Sequence, residues 1–287
     1  MDRMRKILAC CGHNFRKWLS SPRMLALVLL IGLILESSVH ELADFVRSND
    51  LIINFWGLYP MLASQAQMRL LLSFGTLILL CDAPFVDEVQ PYLLLRSGRW
   101  NWVWGQVLYM ALAIVIYQLT VNLISGLLLW GRLSFSGVDW ENGWMTIQYL
   151  DFTMGLPDLI SAPVRSINYR LPLEAWCMTM TLDFMGYFLI GALVFVVNQC
   201  FRGNKGVVVG GVFALTDLVI AFGDYPLLWF WSPMTLTNLE NLDLGFQPSR
   251  PDVWYAFVLL PILCAVMLVL MVWAGRWKPI EVRSDVR

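Results

Sequence analysis

The sequence predicts an all-α membrane protein that crosses the bilayer six times. Hydrophobic residues make up 58% of its 287 residues, and charged residues only 14%. Several apolar stretches approach the roughly 20 residues that a helix needs to cross the hydrocarbon core. Lysine and arginine are concentrated in the short segments between alternate stretches. One membrane domain therefore accounts for nearly the whole chain, although its length alone would suggest about two soluble domains.

Residues 1–22 predict a helix that lies along the membrane surface before the first span. The segment carries five basic residues, and Ile7, Phe15 and Trp18 recur with other apolar residues on one side. A basic start followed by the apolar run 24–35 also resembles a secretory signal peptide. No small-residue cleavage site follows that run, and its removal would leave an odd number of spans. We therefore favour the interfacial helix.

The first span has an amphipathic outer half. Its twelve-residue apolar run is only about 18 Å long as a helix, so the span must continue beyond Leu35 to cross roughly 30 Å of hydrocarbon. The apolar stripe then recurs every three or four residues as far as Phe45. Two interpretations of the polar face remain open: a helix that projects into water, or an acidic lining for an outward-facing vestibule. The polar residues on the other faces are Glu36, His40, Glu41 and Asp44.

The remaining spans are separated by segments of contrasting character. Residues 51–67 mix aromatic residues, a proline and apolar residues, which indicates an interfacial or re-entrant piece. Residues 131–174 and 223–252 are rich in carboxylates or prolines and are predicted to lie outside the cell, with some structure. The six predicted spans are residues 23–46, 63–81, 100–130, 175–199, 207–222 and 253–273.

The distribution of basic residues predicts that both termini face the cytoplasm. Fourteen of the twenty lysines and arginines fall in the four short segments that this arrangement places inside. Positive charge is retained preferentially on the cytoplasmic side of membrane proteins. Six arginines are assigned to the longer external stretches: Arg47, Arg69, Arg132, Arg165, Arg170 and Arg250.

Residues 82–104, between the second and third predicted spans, form a candidate hinge. They read D-A-P-F-V-D-E-V-Q-P-Y-L-L-L-R-S-G-R-W-N-W-V-W. Pro84 and Pro91 bar a continuous helix through the segment. The apolar residues around Tyr92, together with Arg96, suit a short amphipathic helix on the membrane surface. Such a helix is accessible to a partner that pushes on it.

These features resemble the coupling region of ABC-2 type permeases, the transmembrane subunits of bacterial ABC transporters. The shared features are an acidic pair, a short helix of the L-L-L-R kind, a small-residue turn and a basic-aromatic re-entry. The resemblance extends to the basic aromatic segment F-R-K-W-L-S-S-P-R at residues 15–23, to about six spans, and to a Ser-Pro pair before the last span.

The resemblance implies a transport subunit of the bacterial plasma membrane that moves a substrate by alternating access. Residues 82–99 would dock on a separate cytoplasmic ATPase, which holds the ATP and magnesium, and the chain would pair with itself or with a related permease. Family members handle peptides, antibiotics, lipids and polysaccharide precursors, so the resemblance does not select a substrate. The expected ATPase contacts are Asp87, Glu88, Gln90, Tyr92, Arg96 and Arg99.

Motifs for catalysis are not found in the sequence. The loop G-x-x-x-x-G-K-[ST] that wraps ATP phosphates is absent, so we expect ATP hydrolysis on the partner and no enzymatic activity here. The two histidines, His13 and His40, are predicted on opposite sides of the membrane. No H-E-x-x-H or Cys/His cluster indicates zinc ligands. We therefore expect neither a metal nor a cofactor in this chain, and no binding of nucleic acid.

Two carboxylates, Asp183 in the fourth predicted span and Asp217 in the fifth, are candidates for a substrate path. A charge at mid-membrane costs at least about 2.5 kcal/mol on insertion scales, so such residues face a cavity or a partner. A structural alternative is a hydrogen bond to Thr179, Thr181 or Thr216, or to a neighbouring helix. A second functional alternative is an ion-coupled secondary transporter that uses both carboxylates. A third is a non-transporting scaffold or immunity protein that binds a peptide outside.

Small residues in the fifth predicted span indicate close helix packing. Gly206, Gly210 and Gly211 permit the backbones of two helices to approach in lipid. The packing is open between a contact within one chain and a contact across a dimer. The adjacent Cys10 and Cys11 of the interfacial helix are interpreted as ordinary thiols without a role.

Overall fold

The computed structural model describes residues 2–18, 21–85, 90–154, 162–201, 204–223, 225–245 and 249–277. It consists mainly of helices, as expected for an all-α membrane protein. In chain order the helices are α1 (Asp2–Arg16), α2 (Pro22–Ser48), α3 (Leu58–Ser64), α4 (Ala66–Leu80), α5 (Gln90–Ser97), α6 (Arg99–Leu128), α7 (Glu141–Met154), α8 (Val164–Tyr169), α9 (Pro172–Cys200), α10 (Lys205–Gly223), α11 (Pro226–Trp229), α12 (Pro233–Leu236) and α13 (Val253–Trp277).

Within the described residues, five helices are long and apolar enough to cross a membrane. They are α2, α6, α9, α10 and α13, and each lies within a few residues of a predicted span. Two of them begin with a proline, Pro22 in α2 and Pro172 in α9. Proline suits the first helical position because an N–H group there would have no intrahelical partner. The five long apolar helices indicate that the protein is embedded in a membrane.

The second predicted span, residues 63–81, differs from the structure because the helix is interrupted at Gln65. Gln65 has an extended backbone (φ −82°, ψ 119°) and separates the short helix α3 from α4. The Ser64 hydroxyl donates a hydrogen bond to the Met61 carbonyl oxygen at 2.6 Å, at the end of α3. Residues 58–63 are buried and Gln65 is half-buried, so protein covers the segment before the break, where an irregular backbone would be costly against lipid. With 15 residues, α4 is about 22 Å long.

The helix α9 lies at the centre of the bundle, where it packs against α4, α6, α10 and α13. Glycines allow the closest approaches. A Cβ atom at Gly206 would lie 2.5 Å from the Val194 carbonyl oxygen, and one at Gly210 would lie 2.8 Å from Leu77 Cδ1. Gly206 and Gly210 therefore pack α10 onto α9 and α4 of the same chain. Of the two alternatives, a contact within one chain and a contact across a dimer, these two positions make the contact within the chain.

One end of the bundle gathers the segments that the sequence assigns to the cytoplasm, and we call it the basic end. It is defined by Arg23 at the start of α2, Arg99 at the start of α6, Lys205 at the start of α10 and Arg276 near the end of α13. Arg23 forms an ion pair with Asp82 at 2.5 Å. Asn198, near the end of α9, donates to the Ala83 carbonyl at 2.8 Å and accepts from the Gly206 N–H at 2.8 Å.

The opposite end is capped by folded loops. A two-residue parallel pair joins β1 (Ile53–Asn54) to β2 (Leu133–Ser134). The Asn54 side chain donates to the carbonyls of Ser136 and Asp139, each at 2.6 Å, and Trp144 donates to the Asn54 carbonyl at 2.9 Å. The predicted re-entrant piece and the start of the first predicted external segment therefore fold together.

Candidate functional site

A buried ionic cluster occupies the bundle interior between α4, α9 and α10. Arg69 of α4 forms an ion pair with Asp217 of α10, and their side chains are only 4% and 6% exposed. Asp183 of α9 is also buried and faces the same cleft. We call Arg69, Asp183 and Asp217 the acidic cluster. The sequence predicted both carboxylates but counted Arg69 as external, and this assignment is wrong because Arg69 lies inside the bundle.

Asp183 is surrounded by hydroxyl groups. The Tyr59 and Thr237 side chains lie close enough to interact with its carboxyl group, and Tyr187 lines the same cleft. Within the described part of the chain, Asp183 Oδ2 and the Tyr187 hydroxyl are buried and form no hydrogen bond of normal geometry, although the Tyr59 side chain lies close to both residues. Hydrogen-bonding capacity is therefore left over at the centre of the protein, where an unpaired polar group is costly.

The charges of the acidic cluster do not balance when both acids are ionised. One guanidinium cannot neutralise two carboxylates, and an uncompensated charge in a low-dielectric interior is expensive. The cluster is neutral only when one carboxyl group holds a proton or when a cation joins the site. The cleft between the three side chains is too narrow in this conformation to admit a water-sized sphere. A ligand that uses this path requires the helices to separate.

The threonines suggested by the sequence are not the partners of these acids. Their hydroxyls donate to backbone carbonyls one turn earlier in their own helices: Thr179 to Ala175 at 2.8 Å, Thr181 to Cys177 at 2.7 Å and Thr216 to Phe213 at 2.7 Å. The other structural alternative, a bond to a neighbouring helix, holds for Asp217, which pairs with Arg69. The position of Arg69 inside the second predicted span was the feature of the sequence that could have identified this partner.

The expected ATPase contacts lie at the basic end. Tyr92 and Arg96 are exposed on α5, and Arg99 is the first residue of α6. Gln90 begins α5, whereas Asp87 and Glu88 lie outside the described residues. Leu95, which sequence reasoning did not single out, is 87% exposed, against 73% for Tyr92. The structure thus presents an aromatic, an aliphatic and a basic side chain on one short helix.

A left-handed residue joins α5 directly to α6. Gly98 has φ +80°, a conformation that favours glycine, and it is the only residue between the two helices. The Ser97 hydroxyl donates to the Leu93 carbonyl at 2.6 Å, and Asn101 of α6 donates to the Ser97 carbonyl at 2.7 Å. A displacement of α5 therefore moves the start of α6 with it.

The helix α1 packs its inner side onto α6. Asn14 donates to Gln106 at 3.0 Å, and Trp18 donates to the Tyr109 hydroxyl at 2.7 Å. Cys10 and Cys11 are buried at this contact, and a Cβ atom at position 105 of α6, where a glycine stands, would lie 2.6 Å from the Cys10 Cβ. The predicted interfacial helix is thus attached to the same span as α5.

The polar face of α2 forms an exposed stripe of Glu36, His40 and Asp44, which we call the α2 stripe. His40 lies 3.8 Å from the Glu36 carboxylate and 3.2 Å from the Asp44 carboxylate, and all three side chains are more than half exposed. One turn further along, Arg47 donates to the Leu128 carbonyl at the end of α6 at 3.0 Å. The two helices therefore end at the same level.

A comparison with α6 gives the depth of the α2 stripe. At 1.5 Å per residue, His40 lies about 10 Å before Arg47 along α2, and Leu123 lies about 8 Å before Leu128 along α6. At this depth α6 exposes Leu119 and Leu123, as a lipid-facing helix does. A polar stripe at the same depth is costly against lipid. This favours an aqueous lining or a partner contact over a helix that projects beyond the membrane.

Neither metal ligands nor relatives indicate a function. Within the described residues, no group of three or more His, Cys, Asp or Glu side chains is arranged to hold a metal ion. Comparisons of the chain with protein-family models, with curated proteins and with solved structures gave no match. Three features of the structure bear on function: the acidic cluster, the α2 stripe and the α5 surface, which consists of Tyr92, Leu95 and Arg96.

Proposed function

We propose that this chain is the permease subunit of an ATP-driven transporter of the ABC-2 type in the bacterial plasma membrane. In this proposal it crosses the membrane six times, pairs with a second permease subunit and is driven by a separate cytoplasmic ATPase. The observation that carries the proposal is α5, a short helix at the basic end that exposes Tyr92, Leu95 and Arg96 and connects through one glycine to α6.

The composition of the α5 surface supports docking of a protein. Tyrosine and arginine are enriched among the residues that dominate protein interfaces, and an exposed leucine beside them adds apolar area that water does not favour. The basic charge of Arg96 provides complementarity to an acidic cleft. An ATPase that grips α5 would displace the start of α6, and with it α1, which packs on the same span.

The contacts at the basic end support an even number of crossings. Arg3 of α1 and Arg276 of α13 line one pocket, so the start of α1 and the end of α13 lie at the same end of the bundle. Five long helices give an odd number, and α4 supplies the sixth crossing. Although α4 is short, the buried helix α3 extends its path toward the opposite end. The proposal therefore places both termini in the cytoplasm, in agreement with the distribution of basic residues.

The α2 stripe supports a paired subunit and a polar path. Its three charged or titratable side chains lie at the depth where α6 exposes leucines, so this face of α2 is unsuited to lipid. A second permease subunit facing the stripe would enclose it with water and substrate. Asp183 and Asp217 would then form an inner part of the path that opens only when the helices separate.

Substitutions on α5 test the proposal. Replacing Tyr92 and Leu95 with alanine and Arg96 with glutamate should weaken copurification of the ATPase, because the apolar anchor and the charge complementarity are both lost. A matched control carries alanine at Tyr225 and Leu227, which are exposed at the opposite end. Unchanged copurification of the α5 variant would remove the main support for the proposal.

The acidic cluster favours one alternative, an ion-coupled secondary transporter. Its observation is the charge imbalance of one guanidinium and two carboxylates, which a proton or sodium ion would correct. Transport by this route would stop when the ion gradient is collapsed while ATP is maintained. Transport driven by the ATPase would continue under the same conditions, so one experiment separates the two functions.

A further inference from the structure

A second polar site lies at the basic end, where the start of α1, the start of α6 and the end of α13 converge. Arg3, Arg99 and Arg276 line a pocket of about 690 Å³ together with Trp100, Asn101 and Trp277. Arg99 donates to the Arg276 backbone carbonyl at 2.8 Å, which links α6 to α13 across the pocket. The volume is within the range of sites that hold small ligands or headgroups.

The described lining of the pocket is cationic. Three of its six described lining residues are arginines, and none of the six is a carboxylate. A concave site lined by charge of one sign favours the entry of an ion of the opposite sign. The planar guanidinium group presents paired N–H donors that match phosphate oxygens. The chemistry of the lining therefore selects a phosphate.

The tryptophans give the depth of the site. Trp100 and Trp277 are exposed at the rim. Trp100 also packs edge-to-face against Trp104, with the ring centroids 6.2 Å apart. Tryptophan is enriched at the level of the lipid headgroups, where one part of the ring is wet and the rest is apolar. A phosphate at this level in a membrane belongs to a phospholipid, and basic pockets between spans are suited to acidic headgroups.

Asn101 adds a feature that a bare phosphate does not use. Its side-chain nitrogen donates to the Ser97 carbonyl at 2.7 Å, which fixes the orientation of the amide. Its Oδ1 atom is buried and accepts no hydrogen bond from the described residues. An acceptor in a cationic pocket is matched by a hydroxyl donor on the ligand. A glycerol headgroup offers both the phosphate and the hydroxyl.

We propose that this pocket is a binding site for an anionic phospholipid with a hydroxylated headgroup, such as phosphatidylglycerol. The three arginines hold the phosphate, the two tryptophans line the headgroup level, and Asn101 accepts the headgroup hydroxyl. The site is independent of the proposed transport function. It assigns Arg99 to the lipid, whereas the sequence assigned it to the ATPase, and it joins the interfacial helix to the last span through one ligand.

Native mass spectrometry of the purified full chain tests the site. Detergent-solubilised protein is mixed with phosphatidylglycerol or with zwitterionic phosphatidylcholine, and retained lipid is counted. We expect preferential retention of phosphatidylglycerol. The double variant Arg99→Gln with Arg276→Gln should reduce this retention roughly tenfold or more, because charge-assisted hydrogen bonds are lost. The matched control, Arg5→Gln with Arg16→Gln, removes the same charge from exposed positions on α1 and should retain the lipid.

Several results would overturn the assignment. Equal retention of the two lipids, or equal losses in the pocket variant and its control, would indicate only general attraction to the basic end. Displacement of phosphatidylglycerol by excess inorganic phosphate would indicate a site for a soluble anion. Unchanged lipid retention with loss of ATPase copurification in the pocket variant would assign the pocket to the protein partner.

Two milder variants keep the test informative if the double variant fails to fold. Arg276→Lys preserves the charge and removes the paired donors, so it should show intermediate retention. Asn101→Ala should narrow the preference for phosphatidylglycerol over phosphatidic acid, which lacks the headgroup hydroxyl. Wild-type behaviour of both variants would contradict the proposed contacts.

Discussion

Arg69 and Asp217 form a buried ion pair that joins α4 to α10 across 148 residues of sequence. Both groups lie in the bundle interior, where removal of one partner leaves an uncompensated charge. The pair therefore ties the short helix α4 to the rest of the bundle. It also sets the electrostatic environment of Asp183, the third member of the acidic cluster.

Replacement of Asp217 by asparagine should destabilise the folded protein by about 3–5 kcal/mol, because Arg69 is left buried without its counter-charge. The double variant Arg69→Met with Asp217→Leu should recover part of this loss, since neither charge then needs a partner. Thermal unfolding in detergent measures both effects. A double variant that is no more stable than Asp217→Asn would contradict the coupling between the two residues.

Replacement of Asp183 by asparagine should have little effect on folding. Asparagine has nearly the shape of a protonated aspartic acid, and the acidic cluster is neutral when Asp183 holds a proton. We expect a change in unfolding free energy of about 1 kcal/mol or less, the size of one ordinary hydrogen bond. Thermal unfolding checks the result, with Asp217→Asn as the contrast. A loss as large as that of Asp217→Asn would mean that Asp183 is ionised and held by a partner.

The α2 stripe should be accessible to water in the assembled protein. In a cysteine-free background, a cysteine at His40 should react with a water-soluble maleimide that does not cross membranes. A cysteine at Leu123, at the same depth on the exposed face of α6, should react much more slowly because it faces lipid, where thiolates do not form. The two labelling rates are measured in vesicles. Equal rates at the two positions would contradict the proposed path.

Cys10 and Cys11 should respond to pH as buried thiols. Burial raises the pKa of both above the ordinary value of 9.0, so the reactive thiolate is scarcer at a given pH than in the unfolded chain. Alkylation by iodoacetamide should be slow in the folded protein, increase as the pH rises past 9, and accelerate on unfolding. A variant that keeps only these two cysteines provides the measurement. Adding Gly105→Val should push α1 away and increase the rate, whereas an unchanged rate would contradict the α1–α6 contact.

The sequence predicted the long spans well because their signal is local. An apolar run of about 20 residues has few alternatives to a membrane helix, so α9 and α13 lie close to the expected bounds. The interruption at Gln65 was not predicted, because apolar residues continue on both sides of it. Only the tertiary burial of α3 explains how the break is tolerated.

The candidate site was predicted in part for the same reason. Carboxylates in an apolar run are visible locally, which identified Asp183 and Asp217. Their surroundings depend on contacts between distant segments, such as Arg69 with Asp217 and Tyr59 with Asp183, and no periodicity encodes these. Leu95 was missed because an exposed leucine and a buried one read alike in the sequence, and only the folded chain distinguishes them.

Isolation of the chain from its native membranes in mild detergent tests whether a separate ATPase drives it. We expect a protein with a G-x-x-x-x-G-K-[ST] loop to copurify in a fixed ratio. The α5 variant at Tyr92, Leu95 and Arg96 should lose this protein, while the control at Tyr225 and Leu227 keeps it. Mass spectrometry identifies the eluted proteins. A folded, correctly inserted chain that purifies without any such ATPase would show that the chain is not an ABC-2 type permease subunit.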